Sequence, residues 1–178
     1  MNVDELMKYA YKPPHSLFRY RHIGDLKIEG GRPDRGTFYN VSQGDMAGIS
    51  KPLSNPPYIK TQRSDIKAYI DQAHLIVTLL CSHLDAQLHL GPSILTSLQP
   101  VTSHPKPHHV CYASHPPSGS AIISLGDAMV EWSSGILRSN MQRVAFAPGL
   151  QAQAPRYGLA FLVRRADVPM KRLSRGAV

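Results

Sequence analysis

The sequence predicts an α+β fold in which one long amphipathic helix packs outside a partial jelly roll, and three observations carry that expectation. Between Ser64 and Leu90 apolar residues recur in steps of three or four. Three strand-like runs follow in the C-terminal third, at 120–125, 141–146 and 157–163. Turn-forming residues separate all of these.

Residues 1–63 hold only short elements, because Pro13-Pro14, Gly30-Gly31, Pro33, Pro52 and Asn55-Pro56-Pro57 punctuate them at close intervals. Thr37-Phe38-Tyr39-Asn40-Val41, β-branched and aromatic beside Gly36, is the strand expected there. In the helix, Ile66, Ile70, Ala73, Val77, Leu80, Leu84 and Leu88 fall on one face. Ser64 or Thr61 is placed to cap its first turn, and Gly91-Pro92 to stop it. The stretch 99–119, with prolines at 100, 105, 107, 116 and 117, reads as a loop with room for a short strand at 109–112. The closely spaced strands beyond it suit two facing sheets. One domain, 1–178, is expected, with a helical and loop part at 1–98 and a jelly-roll part at 109–173.

Composition narrows the function. With 42% hydrophobic residues and a mean hydropathy of -0.23 the chain has the balance of a soluble globular domain. Its net charge of +8 is spread along the chain apart from Arg164, Arg165, Lys171, Arg172 and Arg175 near the end. That tail lacks interleaved aromatics and a DNA-reading motif, so no nucleic-acid partner is expected. Cys81 and Cys111 form neither a disulfide framework nor a C-x-x-C pair. The N-terminus has early acids and no apolar run, and nothing approaches the roughly 18 apolar residues of a membrane span. A cytoplasmic protein without a membrane partner is the expectation.

The run Leu125-Gly126-Asp127 through Gly135, then Ser139-Asn140-Met141-Gln142-Arg143-Val144 and Arg156-Tyr157-Gly158, resembles the C-terminal half of the isopenicillin-N-synthase-like dioxygenases that depend on iron(II) and 2-oxoglutarate. The blocks 7–14 and 34–42 look like the approach to the same core in fungal members, so the resemblance runs from about Glu5 to Leu173. It implies a double-stranded β-helix, iron(II) and 2-oxoglutarate as cofactors, and oxidation of a small-molecule substrate, often in secondary metabolism. It also implies that the chain begins late relative to the family and lacks an internal block.

In that family two ligands come from a His-x-Asp motif on a strand, and the third is the His of Ser-x-x-His-Arg-Val. Two imidazoles and one carboxylate on one face of the ion leave the other face open. Here Gln142 stands at the last position, and an amide oxygen is a weak neutral ligand for iron. The one His-x-Asp, His83-Leu84-Asp85, falls inside the long helix, where positions two apart point about 200° from one another, with Leu84 expected to face the core. The interval 98–121 offers His104, His108, His109, Cys111 and His115, a set able to hold zinc or copper if the segment brought them together. Arg156 matches the arginine that forks onto the distal carboxylate of 2-oxoglutarate, and is the expected cofactor-binding residue; Gly158 lacks the hydroxyl of the family's serine. Asp127 is placed to cap a helical turn, Gly126 and Gly135 to supply turns, and Trp132 to form a core or a pocket wall.

The sequence therefore predicts an impaired or inactive member of the family, with no metal ligand in place. The alternative is a non-catalytic binding or regulatory module that retains part of the pocket, or pairs with an intact paralogue through its open edges.

Overall fold

The computed structural model describes residues 3–10, 19–25, 31, 33, 36–91, 93–97, 119–139, 149–153 and 157–163. The chain divides into two compact units, Met1–His109 and Val110–Val178.

In the first unit, α1 (Val3–Met7) precedes two short strands, β1 (Arg19–Arg21) and β2 (Phe38–Asn40). These pair antiparallel with Tyr20 opposite Tyr39 and Arg21 opposite Phe38. The expected strand at 37–41 is thus present. Tyr20 and Phe38 are buried, and the Arg21 guanidinium lies 4.4 Å from the centre of the Phe38 ring, a cation–π contact across the ribbon. Gly36 lies against the same ring: a Cβ there would come within 2.9 Å of it.

Next come α2 (Gln43–Ala47), α3 (Pro57–Thr61), α4 (Arg63–Gln87) and α5 (Ile94–Ser97). Ser42 caps α2 by accepting from the Asp45 amide at 3.3 Å. Pro57 opens α3, where a missing amide N–H costs nothing. The long helix is present much as its periodicity predicts, with its ends differently made. Neither Ser64 nor Thr61 caps it: Gln62 holds the cap position without a side-chain bond, and Thr61 Oγ donates to the Pro57 carbonyl. It ends before Gly91. His89, at φ +51°, turns the chain into the left-handed region, its amide donates to Ala86 O, and the Leu90 amide donates to Asp85 O. That double bond pattern is a Schellman close.

The buried face of α4 is centred on Ile70, Cys81 and Asp85. Leu80, expected on that face, is 36% exposed, and Asp85 rather than Leu84 is the more deeply buried. The geometry explains the change. A step of four from Val77 to Cys81 keeps closer to the axis of the stripe than the step of three to Leu80. Because Leu75, Ile76, Leu79 and Leu80 crowd the middle of the helix, apolar spacing alone does not single out one face there.

In the second unit, α6 (Asp127–Trp132) buries Met129 and Trp132. It closes as α4 does, with Ser134 at φ +53° and Gly135 donating to Val130 O at 2.8 Å. A 3-10 turn spans Gly149–Gln153. Of the runs assigned to a jelly roll, 120–125 and 157–163 carry no strand, and 109–112 and 141–146 lie outside the described residues. Among the described residues the only sheet is the β1–β2 ribbon.

Candidate functional site

The segment that carries the chemical expectation begins at Gly126, the N-cap of α6, whose φ of -92° and ψ of 176° are extended. Asp127 is the first helical residue and not the cap, so the role expected for it changes. Its carboxylate accepts a hydrogen bond from Ser139 Oγ, tying the start of the helix to the chain that leaves it. A carboxylate in the first turn also faces the helix amides favourably. Ser133 Oγ accepts from the Leu137 amide at 2.9 Å and donates to Val130 O, which fixes the turn around Gly135. Of the two places expected for Trp132 it takes the core, and its indole Nε1 meets no hydrogen-bond partner among the described residues. Gln142 and Arg156, the positions on which iron and 2-oxoglutarate binding turn, lie outside the described residues, as do Cys111 and the histidines at 104, 108, 109 and 115.

His83 and Asp85 are described, and they do not form a ligand pair. His83 is exposed, whereas Asp85 is 3% exposed. Asp85 Oδ1 accepts from the Leu95 amide at 3.0 Å and pins α5 to α4, with Leu95 buried beside it. Among the described residues no group of three or more His, Cys, Asp or Glu side chains could hold a metal ion. The described part of the chain does not fit an iron site.

The most developed polar cluster centres on Asp45, which sequence reasoning did not single out. Asp45 is 1% exposed. Oδ2 accepts from Asn55 Nδ2 at 2.8 Å and from the Leu53 amide at 3.3 Å, while Oδ1 accepts from Arg63 Nη1 at 3.1 Å. Arg63 Nη2 donates to the Asp45 carbonyl. Tyr39 Oη donates to Asn55 Oδ1 at 2.9 Å, and burial, the largest influence, pushes the Tyr39 phenol well above its ordinary pKa. The cluster joins β2, α2, the 51–56 segment and the start of α4. With both carboxylate oxygens engaged, Asp45 is suited to locking these elements and not to moving a proton. Its sequence trace is faint: Ser42-x-x-Asp45 is a capping pattern, but nothing links it to Asn55 or Arg63.

Among the described residues no helix is long and apolar enough to cross a membrane. No protein-family model, curated protein or solved structure matches the chain.

Proposed function

We propose that the chain is a degenerate member of the iron(II)- and 2-oxoglutarate-dependent oxidoreductases that oxidise small molecules, in which the family's reaction is impaired. One observation carries the reading. Leu125-Gly126-Asp127, Gly135, Ser139-x-x-Gln142-Arg143-Val144 and Arg156 stand in the family's order, with the glutamine where the distal histidine belongs. A jelly roll over 109–173, a cytoplasmic location and secondary metabolism belong to the same proposal. The geometry of 126–139 is compatible with it: a capped helical turn, closed by Asp127 and Ser139, leads into the segment that would bear the ligand.

An iron(II) centre of this type needs three protein donors, and the sequence supplies an amide at one position and no strand-borne His-x-Asp. Arg156 keeps the fork that pairs with a carboxylate. The chain is therefore expected to retain at most the anion-binding half of the site. Anaerobic titration with iron(II) and 2-oxoglutarate tests this. The expected result is no visible charge-transfer band. A band that appears and is abolished by Arg156→Ala overturns the impaired reading.

A non-catalytic module that pairs with an intact paralogue is the second reading. The apolar side chains exposed at Ile122 and Ile123 favour it. Co-purification with a homologue is its expected signature, and a monodisperse monomer that folds cooperatively without one counts against it.

A further inference from the structure

Helix α4 carries a second seam opposite its buried face. Asp65, Ala68, Gln72, Leu75, Leu79, Ser82 and Ala86 are all exposed and follow one another in steps of three and four, and exposed His89, just beyond the helix, continues the same spacing. That is the a/d register of a coiled coil, sustained over about 27 Å from Ala68 to Ala86. Leu75 is 52% and Leu79 54% exposed, while buried Ile70 and Cys81, with half-buried Ile66 and Val77 beside them, lie on the far side.

The seam is close to palindromic about position 77. Reversed onto itself, it sets Leu75 against Leu79, Gln72 against Ser82, Ala68 against Ala86 and Asp65 against His89. The middle layers are apolar, the next pair polar, the next small, and the outermost pair joins a carboxylate to an imidazole. Parallel pairing would instead stack Asp65 on Asp65 and His89 on His89, and would align the two helix dipoles. Ile76, 46% exposed, flanks the centre of the seam and meets its own counterpart across a twofold axis.

We propose that the occupant of this face is a second copy of the same chain, docked antiparallel through α4 in a twofold-symmetric, isologous contact. The contact is narrow, one helix against another, which places it among weak and transient interfaces with a dissociation constant on the order of micromolar.

Sedimentation of the full chain from about 1 to 300 µM, around the dissociation constant expected of so small an interface, tests the proposal. The weight-average mass is expected to rise from 19.7 kDa towards twice that value. The double variant Leu75→Glu/Leu79→Glu, at exposed positions and with good helix formers, keeps its circular-dichroism helix signal and stays monomeric. The register is tested separately in a Cys111→Ser background. Gln72→Cys with Ser82→Cys oxidises to a covalent dimer, whereas either cysteine alone does not, because its copies are about 15 Å apart in the antiparallel pair. A wild-type mass that stays at 19.7 kDa, a glutamate variant that still dimerises, a Gln72→Cys single variant that cross-links to itself, or a different chain bound to the α4 face in place of a second copy each overturns it.

Discussion

Asp45 ties α2 to Leu53, Asn55 and the start of α4 through a single carboxylate. A carboxylate 1% exposed is tolerated because Asn55, Leu53 and Arg63 surround it with donors. Removing a donor leaves a buried charge short of partners, while removing the carboxylate orphans the donors. The Arg63 side chain is 41% exposed, so water replaces part of what Arg63→Ala takes away, and its cost is expected near 1–2 kcal/mol. Asp45→Ala is expected to cost about 3 kcal/mol, since all the donors lose their acceptor together. Urea denaturation followed by far-ultraviolet circular dichroism measures both, and equal costs would contradict the exposure argument. Tyr39 adds a pH dependence. Burial holds its phenol above the ordinary tyrosine value of 10.0, so the unfolded chain loses that proton first. Stability from this group is intact below pH 10 and falls as pH rises beyond it, because the native state then binds more protons than the unfolded one. Tyr39→Phe is expected to flatten the alkaline limb of a stability–pH curve while costing about 1 kcal/mol at neutral pH for the lost bond to Asn55.

At the level of elements, α2, α4 and α6 end on the same device, a left-handed residue followed by a Schellman bond pair, and only α2 uses glycine for it. Gly48 lies at φ +75°, His89 at +51° and Ser134 at +53°. A residue with a Cβ is strained there, so His89→Gly is expected to raise thermal stability by about 1 kcal/mol without shifting the end of the helix, as read by thermal melts. A fall in stability would mean that the imidazole makes contacts worth more than the backbone strain. The same ends show what the sequence disclosed. The existence and extent of α4 were legible because twenty-five residues contain no proline or glycine and carry a period of three to four. Its stop was not, since the expected signal was Gly91-Pro92 and the turn occurs at His89, a residue that enters the αL region far less often than glycine. At Leu80 and Cys81 the inward face differs from the one the sequence predicts, because the hydrophobic choice and the angular choice differ by one residue. Asp85 illustrates the wider difficulty. Read in sequence it is the end of a His-x-Asp pair, and in the fold it is the acceptor for the Leu95 amide ten residues on. Long-range polar pairing of this kind, like that of Asp45 with Asn55 and Arg63, is set by tertiary packing and leaves no periodic trace.

On the scale of the whole molecule, the proposed impairment is a matter of several donors together. If Gln142 were the single defect, Gln142→His would restore the family's reaction. A lone imidazole from that position, however, faces an iron(II) ion without the second histidine or the carboxylate, and one neutral nitrogen cannot hold a ferrous ion against water and chelating cosubstrate. The described His-x-Asp cannot supply the missing pair, because Asp85 is buried and engaged while His83 points to solvent from a different face of α4. Gln142→His is therefore expected to leave the chain without 2-oxoglutarate turnover, measured as succinate release under saturating iron(II) and ascorbate. The variant's affinity for 2-oxoglutarate in the absence of iron is expected to be unchanged within about twofold, because the carboxylate fork assigned to Arg156 is untouched. Succinate release by the single variant would show that the remaining ligands come from elsewhere in the chain, with the histidines between 104 and 115 the first to substitute. A loss of 2-oxoglutarate binding in the variant would instead show that the side chain at position 142 itself contributes to holding the cosubstrate.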